Sequence, residues 1–348
     1  MTTNLKVPGR KSWTQRLRNE MAANWQLYLL VLLPVVYLIL FHYWPMLGVQ
    51  IAFKDFKPTK GIWGSPWASS RGQVNVFKHF QRFLRSSYSL QIIGNTISLS
   101  LYSLLAKFPC CLLLALMMNE LRSTKLKKTV QVVTYAPHFI STIVVVGIMQ
   151  QMFAAPSALM RSGGVVNMLI GMLGGEPIPF MESASAFPHM YVWSGVWSSA
   201  GWGSIIYLAT LSNVDPQHYE AATLDGAGYI RCFVSVIMPL ITPILATLCI
   251  FSAVGQWNSF TDTMMLMPSG KYYTLQFLLY KYQHEAQSLA ALVRTTQDSG
   301  SMANLSIKQT ALSVQMTVAM VVPLPILLVY PYFQRYFVKG IMIGAVKG

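Results

Sequence analysis

Apolar residues in this chain gather into six long runs, at 27–49, 90–118, 130–153, 187–211, 233–253 and 311–332, with polar stretches between them. Each is close to the ~20 residues a helix needs to cross a hydrocarbon layer ~30 Å thick. The pattern predicts an all-α, polytopic membrane protein with about six transmembrane helices. Pro34, Pro109, Pro239, Pro243, Pro323 and Pro325 fall inside the runs. A bundle tolerates them, because neighbouring helices satisfy the backbone groups that proline frees. The expected organisation is a basic tail at 1–26, a transmembrane domain at 27–332 with a polar loop at 212–232, and a second tail at 333–348.

Composition and charge agree with that reading and orient it. Of 348 residues, 53% are hydrophobic and 11% charged, against about 25% charged in soluble domains. The net charge of +15 sits mostly outside the apolar runs, and no nucleic-acid-binding signature accompanies it. Lys6, Arg10, Lys11, Arg16 and Arg18 lie in the first tail. Arg122, Lys125, Lys127 and Lys128 fill the short loop after the second run, and Arg335, Lys339 and Lys347 lie in the last tail. Six spans place these segments on one face, which the positive-inside rule makes cytoplasmic. The loop at 212–232 shares that face. The loop at 54–86, assigned outside, nonetheless carries Lys54, Lys57, Lys60, Arg71, Lys78, Arg82 and Arg85. Contact with anionic lipid is the preferred account of it, and attraction of an acidic saccharide is the other. No small-residue cleavage site follows the first run, so no signal peptide is expected. Cys110, Cys111, Cys232 and Cys249 form no CxxC pair, which argues against a zinc site or disulfide framework.

The chain has eleven acidic residues, and three of them, Asp215, Glu220 and Asp225, fall in "DPQHYEAATLDGAG". Asp215 is a good N-cap and Pro216 suits the first helical position. Gln217 to Leu224 gives about two turns, and Gly226 and Gly228 offer a stop. A short cytoplasmic helix results, lying across the mouths of two spans. It can sit in a groove on a soluble partner: Glu220 offers charge, and the small Ala221 and Ala222 allow close approach. An ordinary amphipathic linker is the alternative on helix signals alone.

The longer spacing favours the docking helix. Glu220-Ala221-Ala222, then Gly226, then Val236, Met238 and Pro239 resembles the EAA motif of ABC-importer permeases. The runs "PMLGVQIAFKDFKPTKGIWGSPW", "MMNELRSTKLKKTVQ" and "YAPHFISTIVVVGI" are similar to one branch of the carbohydrate-uptake (MalF/MalG-like) group, the Lpl/Yte-type oligosaccharide permeases. "VGQWNSFTDTMML", "YYTLQFLLY" and "PILLVYPYFQRYFVKGIMIGAVKG" resemble the second permease subunit of that branch. The resemblance implies the type I ABC-importer permease fold, multi-pass in a bacterial plasma membrane with both termini cytoplasmic. It implies three kinds of partner: a second permease subunit, normally in a heterodimer, two ATP-binding subunits, and an extracytoplasmic solute-binding protein. ATP and Mg would be used by the partner ATPase, and no cofactor is expected on this chain. In agreement, the sequence contains no GxxxxGK[ST].

Other candidates are less specific. Trp193 and Trp197 share one helix face and suit either a membrane-interface belt or a sugar-stacking pathway. Asn95, Gln150, Gln151 and Asn258 suit interhelical bonding or the pathway. Lys107, inside the second run, is either a functional ion or a snorkelling one. Trp202, between Gly201 and Gly203, suggests close helix packing. His284-Glu285 opens like HExxH, but Ser288 breaks the motif, so no catalytic constellation is expected. The rival readings are an ABC permease for a non-sugar solute, an ATP-independent secondary transporter or channel, and a membrane-embedded enzyme.

Overall fold

A computed structural model describes residues 20–57, 60–70, 72–157, 163–183, 185–266, 272–295 and 302–332, together with Trp13 and Gln334. The tail cations at positions 6–18 and 335–347, and Arg71, lie outside these residues.

The long elements follow the apolar runs. Helix α1 (Trp25–Phe53) is α-helical at first, passes through a π-turn at Ile39–Tyr43 and ends in a 3₁₀ stretch at Leu47–Phe53. After α2 (Lys78–Leu84) come α3 (Ser87–Glu120), α4 (Thr124–Tyr135), α5 (Thr142–Met152) and α6 (Val165–Met172). Helix α7 (Phe187–Ser212) leads into the short α8 (Pro216–Leu224), and α9 (Tyr229–Trp257) follows. The chain continues through α10 (Thr261–Leu266), α11 (Leu275–Thr295) and α12 (Met302–Val321). A two-stranded hairpin, Ser69–Ser70 with Gln73–Val74, is the only sheet among the described residues.

Four helices are long and apolar enough to cross a membrane: Trp25–Phe53, Ser87–Glu120, Tyr229–Trp257 and Leu312–Tyr332. Helix α7 occupies the expected fourth span, but its Ser, Gly and Trp content leaves it less apolar than those four. The third expected span, 130–153, is not one rod. It bends by 99° between Phe139 and Thr142. Pro137 ends α4 in a 3₁₀ turn, and Ser141 starts α5 by accepting the Val144 N–H. The run stays apolar across the break, so hydropathy alone cannot reveal it.

Proline also shapes α1 and α9. Pro45 and Pro239 each closely follow a π-turn, the second at Phe233–Ile237. A proline ring has no N–H and collides with the carbonyl four residues back, and a wider turn before it relieves both problems. Helices α3 and α7 make the most extensive helix pair. Their approach depends on glycine. A Cβ at Gly203 would meet Cys111 Sγ at 2.8 Å, and one at Gly201 would overlap the Thr134 backbone of α4.

Candidate functional site

The polar loop folds as a helix fixed at both ends. Asp215 Oδ1 accepts the Gln217 N–H at 3.0 Å, and Pro216 occupies the first turn. At the other end, the Gly226 N–H bonds to Thr223 O at 3.0 Å and the Ala227 N–H to Ala222 O at 2.9 Å. This is the Schellman arrangement, which needs a left-handed residue at the turn. Gly226 supplies it with φ +75°.

Helical spacing divides the side chains of α8 between two faces. Ala222 is buried, and it joins a cluster with Leu112, Met118, Leu211, Cys232 and Ile237. Tyr219, three residues earlier, packs on the same cluster. Glu220, Ala221 and Leu224 face outward and are exposed. The two alanines therefore differ in use: Ala222 holds α8 to its own bundle, and only Ala221 is free for a neighbour. Asp225 is exposed at the helix end, and Pro239 lies further on, just past the π-turn of α9.

Sequence reasoning missed the apolar part of this surface. Leu224 is 89% exposed, Tyr229 96% and Ile230 82%. Leu224 ends the capped polar helix and Tyr229 and Ile230 open α9, so together they form an apolar surface that this chain does not cover. The available signal was that Leu224, Tyr229 and Ile230 are apolar in a loop with no bundle face left to bury them.

The outer candidates are divided between locations. Trp193 and Trp197 are each about half exposed and line an apolar cavity of about 630 Å³ with His189, Met152, Phe153 and Phe180. Trp193 Nε1 donates to Tyr102 Oη at 3.1 Å, and that oxygen lies 2.8 Å from His189 Nδ1. Asn95 and Asn258 do not line this cavity. Asn95 instead donates to Tyr273 O at 3.3 Å, and Asn258 is exposed at the end of α9. Trp202, expected in a helix contact, is 46% exposed and stacks flat on His138, with centroids 4.7 Å apart. The neighbouring glycines make the contact without it. No cluster of metal-ligating groups occurs among the described residues.

The loop at 54–86 is a folded cap. Lys54 is buried, donates to Ile62 O at 2.8 Å and lies over the Trp67 ring at 5.0 Å. Lys78 bonds both oxygens of Asp55, at 2.9 and 3.1 Å, and the Ser69 N–H donates to the same carboxylate. His79 is buried, with Nε2 3.4 Å from Asp55 Oδ1 and no hydrogen bond of its own. Two cations of the expected positive loop are thus taken up inside it. Desolvation would raise the Asp55 carboxyl, but the Lys78 and Ser69 bonds and the nearby charges outweigh it and hold the group below 3.8. Desolvation lowers the His79 imidazole below 6.5, and the Asp55 charge only partly offsets this.

Comparison with known proteins places these features in a wider group. The family described as "Binding-protein-dependent transport system inner membrane component" matches residues 111–343. The chain is 38% identical to Protein LplB of Bacillus subtilis, over 69% of this chain and 70% of that protein. It is 37% identical to the polygalacturonan/rhamnogalacturonan transport system permease protein YteP of the same organism, over 69% and 71%. Its fold is similar to a chain in the crystal structure of a bacterial ABC transporter involved in the import of the acidic polysaccharide alginate. That match has a TM-score of 0.72 and 27% identity, and covers 92% of this chain and 99% of the other.

Proposed function

The chain belongs to the family of binding-protein-dependent transport system inner membrane components, and from that premise we propose that it is a permease subunit of an ATP-driven oligosaccharide importer. In this reading α8 docks on a separate ATP-binding subunit. Uptake of polygalacturonan/rhamnogalacturonan by the YteP system and of alginate by the structural relative supports a saccharide cargo. The other partners are a second permease subunit, a second ATP-binding subunit and an extracytoplasmic binding protein. Both termini face the cytoplasm.

One observation carries the docking role: α8 is fixed on one face and bare on the other. Ala222 packs into a cluster built from α3, α7 and α9, while Glu220, Ala221 and Leu224 point away from it. A partner that grips the bare face moves three long helices at once. Contacts within close-packed interiors transmit such displacement well, because the packing does not compress. ATP-driven closure of the partner would then switch the pathway between inward- and outward-facing states.

A secondary transporter is the weaker reading. Ion coupling uses acidic groups inside the bilayer, and the four apolar spans hold only Glu120, at the end of α3. The test is to reconstitute the chain with a candidate ATPase, partner permease and binding protein. ATPase stimulation by loaded binding protein is expected. Glu220→Lys should cut uptake at least ~10-fold, the scale of losing a hydrogen bond to a charged group, while the complex still assembles. ATP-independent uptake by the chain alone would overturn the proposal.

A further inference from the structure

A second cavity, of about 300 Å³, opens where the third span is broken. It is of a size that holds small ligands, and it differs from the tryptophan cavity in being polar. Lys107 of α3 lines one wall, Ser194, Ser198 and Ser199 of α7 another, and Gln256 at the end of α9 and Asp262 of α10 complete it. Lys107 is near the middle of a 34-residue helix, so it is not a misplaced loop residue.

The groups in this cavity are bonded unequally. Asp262 accepts from the Ser259 hydroxyl at 3.0 Å. Gln256 donates to Tyr191 Oη at 2.7 Å. The three serines donate to carbonyls of their own helix, at Tyr191 and Gly195. Their oxygens keep acceptor capacity toward the cavity. Lys107 is the exception. Asp262 feels its charge, but among the described residues its ammonium has no hydrogen bond and no carboxylate within 4 Å. An ammonium held half-buried at the cavity wall without a contact partner is open to an entering anion, which would bond to it directly.

We propose that this cavity binds one sugar-acid unit of the cargo, with the carboxylate on Lys107 and the ring hydroxyls on Ser194, Ser198, Ser199 and Asp262. The inference rests on the importer reading above and adds to it the residue that selects an acidic sugar unit over a neutral one. Asp262 in the same cavity repels an acid group, which directs the carboxylate to the Lys107 wall, and its own oxygens are strong acceptors for sugar hydroxyls. The cavity thus has a cationic wall for the acid and acceptors for the hydroxyls. A neutral sugar would satisfy the acceptors but leave Lys107 unpaired.

The test uses the reconstituted importer, with uptake measured for a galacturonate trimer and for its carboxyl-reduced galactose counterpart at saturating loaded binding protein. The binding protein is identical in every arm, so a ratio between variants reports on the permease. Lys107→Gln should slow uptake of the charged trimer at least ~10-fold, the scale of a hydrogen bond to a charged group. Uptake of the neutral trimer should change less than ~2-fold, which also shows that the variant folds. Lys107→Arg should recover most of the charged uptake. Equal loss on both trimers, or unchanged charged uptake in Lys107→Gln, overturns the assignment. Wild-type uptake of the neutral trimer alone overturns it too and leaves the importer reading intact. Failure of the wild-type complex to respond to any loaded binding protein defeats the importer reading, and this inference with it.

Discussion

The cap at 54–84 and helix α8 are both short polar segments between apolar spans, yet they dispose of their side chains in opposite ways. The cap uses its charges internally. Asp55 holds Lys78 and the Ser69 N–H, and Lys54 is buried against Trp67 and the Ile62 carbonyl. Helix α8 uses only its ends and one face. Asp215, Gly226 and Ala222 fix it in place, and Glu220, Ala221 and Leu224 are left outside. The difference separates the cap from the proposed docking helix better than charge does, since the cap is the more charged of the two. Polar groups paired within the chain mainly hold its shape. Groups held in fixed positions without intramolecular use are available to a partner.

The largest effect expected from this contrast is on the bare face. Leu224→Asp should reduce ATP-coupled uptake by roughly 30-fold, since loss of an interface hot spot costs about 2 kcal/mol or more. The thermal midpoint of the isolated chain should barely move, because Leu224 is already in solvent. A large fall in that midpoint would mean that α8 is structural and would erase the contrast.

A smaller and opposite effect is expected in the cap. Asp55→Ala leaves Lys78 and the buried His79 without their carboxylate, at a cost of about 1–3 kcal/mol. Faster hydrogen exchange should appear at amides 54–84, with uptake per assembled complex changed less than ~2-fold. A loss of coupling matching that of Leu224→Asp would show that the two regions are not separate in function.

The smallest effect is a pH dependence confined to the cap. His79 titrates below its ordinary 6.5 and Asp55 below 3.8, so in both cases the unfolded segment binds protons more readily than the folded one. Stability is then lost as pH falls. The cap should be fully protected above pH 6.5, loosen as pH drops below that value when His79 charges, and loosen again below 3.8 as Asp55 is protonated. Hydrogen exchange from about pH 2 to 8 would follow this, with α8 amides as the internal reference. Cap protection that increases on acidification would contradict it.

Much of the architecture could be read in the chain because bilayer crossing imposes a simple rule on composition. The positions of the six apolar runs and the start and stop of α8 came from run length, from Asp215-Pro216 and from Gly226. Other features depended on relations invisible in one dimension. The break at Ile140 lies in an apolar run, so hydropathy passed over it. The pairing of Asp55 with Lys78 spans 23 residues of loop. Lys107 stood out in the sequence, but its unpaired state depends on groups from α7 and from beyond α9.

By itself, the sequence determined that this protein lives in a membrane and carries a capped helix between its fourth and fifth apolar runs. Both follow from local physics: apolar length against bilayer thickness, and the few residues that can begin or end a helix. Only the tertiary structure decided which alanine of α8 faces inward, which cations of the outer loop are consumed and which cation at mid-span is left without a contact. Those outcomes depend on which groups from distant segments meet, and in a low-dielectric interior it is the presence or absence of such a meeting that fixes what a polar side chain can do.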